Sequence, residues 1–343
     1  MLTAILDPMG RDIRVLIIRV LLISTGFLFP LAASPMPVFG LHHPPGRLIH
    51  MGGHRQHIYC VGSGAPTIVL ESGLAGFSLE WYPLEEELAH YQRVCSYDRT
   101  GYGWSDYSPL PRTADRLAEE LHRLLRRAGE GPPYLLVGHS FGGYIVQDFS
   151  RRYPREVQGL VLIDASHPEQ MQRLKLRNRV LRPVRYDGRR LRTRIVRSWP
   201  TLPAHYPQAY RILALHLMSG RKSALTQLSE LENFTLSGSE VLQAGPMPDI
   251  PVVVMSRGRR MWPATAAGDA KAIIWQQLQA ELTDLTPHTY QIIASSSGHH
   301  IHLDQPGLVF HAIRSLANSA QECRPQAVHV ARREVTLHEG YGC

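Results

Sequence analysis

Apolar residues follow two rhythms along this chain. Short continuous apolar runs bounded by Gly, Pro or polar turns occur at residues 67–71, 93–97, 135–137, 159–163, 250–255 and 290–294. Runs this short, with such flanks, suit strands buried on both faces better than helices. Between them the period lengthens. Over residues 113–128, Leu117, Leu121, Leu124, Leu125 and Ala128 fall at i, i+4, i+7, i+8 and i+11, one face of a helix that Gly129 stops. Residues 144–153, ended by Pro154, and residues 270–282 also read as helices, and residues 305–317 close the fold. Gly52-Gly53 between residues 47–51 and 55–61 signals a hairpin. Strands alternating with helices predict an α/β fold around a mostly parallel sheet.

The two ends and one internal stretch depart from this rhythm. In residues 1–33, Arg11, Arg14 and Arg19 precede the uncharged run 20–29 and the small residues Ala32 and Ala33. That order reads as an export signal, either removed or kept as an anchor. Pro35, Pro37, Pro44 and Pro45 then make a stiff linker. Residues 169–248 carry prolines and several helix-like patches with no strand run. The divisions expected are a signal or anchor with linker (1–45), a core in two parts (46–168 and 249–319), an insertion (169–248) and a tail (320–343).

Charge sharpens the picture of the insertion. The net charge is +8, yet residues 173–197 hold eleven Lys or Arg against Asp187 alone, leaving −2 for the rest. Leu176, Val180 and Val184 recur among these arginines, so the stretch fits either an anionic membrane surface or a solvated face. Nucleic acid is not expected, because no binding motif accompanies the charge. The four cysteines, Cys60, Cys95, Cys323 and Cys343, have no metal-ligand spacing, so no zinc site is expected from them. No dinucleotide or phosphate-loop fingerprint occurs, and no cofactor is implied.

The chemistry centres on Gly138-His139-Ser140-Phe141-Gly142, a G-x-S-x-G placed after a strand and before a helix. In that setting it is the sharp turn that lifts a serine hydroxyl above a sheet. With it come, in order, residues 66–76 (PTIVLESGLAG), 97–106 (YDRTGYGWSD), 159–168 (GLVLIDASHP) and 297–299 (SGH). Across residues 46–317 the chain thereby resembles the α/β-hydrolase superfamily, in its bacterial-type serine hydrolase branch. The resemblance implies a mostly parallel central sheet flanked by helices, with the insertion as a cap over the site.

It also implies roles. Ser140 would be the nucleophile and His299 the base, with His300 as the neighbouring alternative. The Leu74 and Phe141 backbone N–H groups would form the oxyanion hole, although Ser72 stands where relatives carry a histidine. The acid is the open position. Relatives place it after the penultimate strand, but residues 256–263 (SRGRRMWP) hold no carboxylate before Asp269. Asp164, closing the preceding strand, is the expected acid, with Asp269 and Glu71 as alternatives. Asp98 reads as structural. In this fold the strands bearing Cys60 and Cys95 are expected side by side, within disulfide reach; Cys323 and Cys343 would pair in the tail.

The reading is an exported or membrane-anchored hydrolase that cleaves a small-molecule carboxylic ester through an acyl-serine. Thioesterase or amidase chemistry on the same residues, or a binding protein on a hydrolase scaffold, are the alternatives. A serine at the turn argues against dehalogenase and epoxide-hydrolase chemistry, which uses aspartate there.

Overall fold

The computed structural model describes residues 43–176, 206 and 208–322. The export-type segment, the basic stretch beyond residue 176, and Cys323 with Cys343 lie outside the described residues. Among the described residues, no helix is long and apolar enough to cross a membrane.

Eight strands form one sheet: β1 Arg47–His50, β2 Arg55–Val61, β3 Thr67–Glu71, β4 Val94–Tyr97, β5 Tyr134–His139, β6 Val157–Ile163, β7 Val252–Arg257 and β8 Thr289–Ala294. Their order is β1-β2-β4-β3-β5-β6-β7-β8, antiparallel at the first two pairings and parallel thereafter. The sheet and its helices are those of an α/β-hydrolase fold. β5 is central, and all six of its residues are buried, as its unbroken apolar run requires.

Strand alternation sorts the core into two layers. Val69, Leu136, Leu160 and Val252 point to one face, under the helices α2 (Ala114–Ala128) and α3 (Gly142–Arg152). Leu70, Val137, Val161 and Val253 point to the other, under α1 (Tyr82–Ala89) and the C-terminal helix Pro306–Glu322. α2 starts where Thr113 accepts a hydrogen bond from the Arg116 amide and stops at Gly129, whose φ of 77° suits a residue without a side chain.

Two boundaries differ from those read in the sequence, with consequences for the site. α3 begins at Gly142 and not at residue 144, because Ser140 turns the chain straight from β5 into the helix. β7 runs through Arg257, which carries that arginine to the sheet's end beside β6. In the insertion, α4 (Gln170–Arg173), α5 (Gln208–Met218), α6 (Arg221–Glu232) and α7 (Phe234–Gln243) are helical. Cys60 and Cys95 are paired in register across β2 and β4 and are disulfide-bonded.

Candidate active site

Three chain segments meet at the C-terminal edge of the parallel strands. The first is the turn after β5. Ser140 has a φ of 50°, the left-handed region that costs a residue with a side chain on the order of 1–3 kcal/mol. Its flanking glycines are required by space: a Cβ on Gly142 would sit 2.6 Å from the Ser72 carbonyl oxygen, and one on Gly138 2.6 Å from the Val146 side chain.

The second segment is the end of β6. Asp164 also has positive φ, 41°, and its side chain is buried. The third is the loop after β8, which delivers His299. The His299 Nε2 lies 2.9 Å from Ser140 Oγ, and its Nδ1 lies 2.5 Å from Asp164 Oδ2. A carboxylate only accepts, so Nδ1 carries the proton and Nε2 is free to accept from the serine hydroxyl. Ser140, His299 and Asp164 are therefore joined by two hydrogen bonds in series.

Asp164 holds further partners that sequence reading missed. Trp275, on the helix α8 (Ala266–Glu281), donates its Nε1–H to Oδ1 over 2.9 Å, and the Arg257 guanidinium donates to Oδ2. Arg257 in turn lies over the Trp275 and Trp262 rings, at 4.4 and 5.1 Å from their centroids. Burial alone would raise the Asp164 carboxyl. The hydrogen bond and charge of His299, then Arg257 and Trp275, hold it below its ordinary value. The only signal in sequence was negative: no carboxylate stands between Met255 and Asp269, and Arg257 lies in that stretch.

The other carboxylates considered are elsewhere. Asp269 is exposed and paired with Arg260. Glu71 is bound by Tyr97 and Arg99. Asp98 accepts from the Ser78 and Trp104 amides and pairs with His57, which ties down its loop.

The loop 72–76 packs against the serine turn. A Cβ on Gly73 would come within 3.2 Å of the Ser140 Cβ. Ser72 spends its hydroxyl on the Trp81 indole, 2.8 Å away, a structural contact. Among the described residues, neither the Leu74 nor the Phe141 amide donates a hydrogen bond.

Behind His299 sits a group of buried histidines. His139 donates its Nε2–H to the His299 carbonyl over 3.0 Å, leaving its Nδ1 without a partner. His302 stacks on Trp81 and sits near Glu80. Burial and neighbouring imidazoles push His139 and His302 well down, and His300 to about 4, so all three are neutral near pH 7. Glu80, His139 and His302 offer donor atoms within 4.8 Å of one another.

A family model described as the alpha/beta hydrolase fold matches residues 66–306. The chain belongs to that family. An uncharacterised Bacillus subtilis (strain 168) protein, YqjL, is 28% identical over 260 residues, covering 76% of this chain and 86% of its own. A thermophilic esterase from Thermogutta terrifontis superposes with a TM-score of 0.59 at 21% identity, over 80% of this chain and 97% of that one. The enol-lactonase from Burkholderia xenovorans LB400 gives 0.56 at 18%, over 78% and 98%. These structural likenesses speak to the fold. At the level of the family, this alpha/beta hydrolase is hydrolytic.

Proposed function

We propose that the protein is a serine hydrolase of carboxylic esters, with Ser140 as nucleophile, His299 as general base and acid, and Asp164 as the carboxylate that orients the imidazole. The observation that supports this best is the pair of hydrogen bonds in series, 2.9 Å and 2.5 Å. A serine hydroxyl is a poor nucleophile near neutral pH until a base takes its proton.

In the acylation step Ser140 Oγ bonds to the ester carbonyl carbon while its proton moves to His299 Nε2. The electron pair displaced onto the carbonyl oxygen faces the Leu74 and Phe141 N–H groups, each worth roughly 3–4 kcal/mol in comparable sites. Collapse of this tetrahedral species expels the alcohol, which takes the proton from Nε2. Water then repeats the sequence on the acyl-serine, using the same base, and releases the acid. Through both halves the buried Asp164 carboxylate faces the Nδ1–H and supports the imidazolium that forms.

Hydrolysis of p-nitrophenyl esters over a series of acyl chain lengths, with Ser140→Ala as control, tests the reading. Turnover that vanishes in Ser140→Ala is the expected result. Equal turnover in both proteins rules it out.

A further inference from the structure

Arg99 is a buried cation that the serine and its partners leave unused. Arg99, just past β4, spends all five of its N–H donors inside the protein. Nη1 donates to Glu71 Oε1 (2.6 Å) and the Ser72 carbonyl (2.7 Å). Nη2 donates to the Gly73 carbonyl (2.8 Å) and Glu230 Oε2 (3.3 Å), and Nε to Glu230 Oε1 (2.8 Å). Glu71 closes β3 and Glu230 lies on α6 of the insertion.

The Gly73 carbonyl and the Leu74 N–H are the two ends of one peptide group. In a planar trans peptide they point in opposite directions. With the carbonyl turned toward Arg99, the N–H is turned away from it. A guanidinium on the oxygen also draws electron density out of the amide, which strengthens its N–H as a donor, the cooperativity expected of linked hydrogen bonds. The Gly76 amide donates to the same carbonyl at 3.0 Å, so that end of the peptide is doubly held.

The insertion is fastened to the same point. Tyr102 donates its hydroxyl to Glu230 Oε2 over 2.8 Å, and Lys222 donates to the carbonyls of Gly103 and Ser105, each over 2.7 Å. α6 is pressed onto this loop closely enough that a Cβ on Gly101 would overlap Thr226 Oγ1 at 1.8 Å.

We propose that Arg99 is a positioning residue for ester hydrolysis: its grip on the Gly73 carbonyl aims and polarises the Leu74 N–H at the developing oxyanion. Its bond to Glu230 makes that grip depend on how α6 of the insertion is seated. This rests on the serine-esterase reading and adds to it a link between the insertion and the rate of the chemical step.

The test compares wild type, Arg99→Lys and Glu230→Gln on one p-nitrophenyl ester, alongside inhibition by a trifluoromethyl ketone. That inhibitor presents an oxyanion once the serine adds to it, so its affinity reports the donor directly, which a purely structural role would not move. Arg99→Lys keeps the charge but loses the fork. It is expected to lower kcat at least tenfold with KM within about twofold, removal of a whole donor costing about 10²–10³. The inhibitor's Ki should rise in proportion. Glu230→Gln leaves the Arg99 bonds to the loop in place while weakening their anchor, and should lower kcat several-fold with the same parallel rise. If Arg99→Lys does not fold, Glu230→Gln decides the matter. A folded variant whose kcat and Ki match wild type overturns the proposal. Loss of kcat with unchanged Ki overturns it too. Wild-type activity abolished by Ser140→Ala shows separately that the underlying reading stands.

Discussion

At the scale of single residues, the account turns on Asp164. Among the described residues its carboxylate is the one hydrogen-bonded to His299, whereas Asp269 is exposed beside Arg260. Asp164→Asn removes the charge behind the imidazole and favours the wrong tautomer, which should lower kcat by about 10²–10⁴. Asp269→Asn has no such contact to lose, and its kcat should stay within roughly tenfold of wild type. Steady-state kinetics on both, with thermal melts to confirm folding, would refute the assignment if the two behaviours were exchanged. Glu80 gives a pH prediction. Burial raises its carboxyl from 4.5 to about 7. Between those values the folded state holds a proton that the unfolded state has lost, so stability falls as pH rises through that window. At about 1.4 kcal/mol per unit, the loss comes to about 3–4 kcal/mol from Glu80. Glu71 and Asp148, each raised to about 6, add to it with the same sign. Glu80→Gln should therefore flatten the decline in Tm between pH 5 and 8 without removing it. An unchanged slope would contradict this. Ser140 and His299 were legible because each sits in a local motif. Arg257 and Trp275 were not, since they reach Asp164 from 93 and 111 residues away and no short pattern encodes that meeting.

At the scale of elements, buried strands read well because their apolar runs are unbroken, and α2 because its apolar face is one-sided. The helices of the insertion read poorly. They mix buried and exposed apolar residues, as at Leu213 and Ile212 of α5, so no single face announces itself. β2 and β4 carry the disulfide. Closing a loop with a sequence separation of 35 residues stabilises a fold by about 3–4 kcal/mol in the chain-entropy account. The double variant Cys60→Ala, Cys95→Ala should thus melt on the order of 10 °C lower, at 2–4 °C per kcal/mol for a domain this size. Reductant should lower the wild-type Tm and leave the variant's unchanged. Two free thiols in the native protein, with no effect of reductant, would contradict it.

At the scale of the molecule, the parallel sheet brings three distant segments to one edge: the turn after β5, the end of β6 and the loop after β8. The sheet order was legible in outline because strands and helices alternate, and family resemblance supplied the rest. How the insertion seats on the core was not legible, since it depends on the buried Arg99–Glu230 pair, 131 residues apart in sequence. The claim that ties the levels together is that Ser140 alone is the activated hydroxyl. Intact and peptide mass spectrometry after treatment with a fluorophosphonate tests it most directly. The account predicts one covalent adduct per chain, located on Ser140 and lost in His299→Ala. An unmodified wild-type protein, or an adduct on another residue, would contradict it.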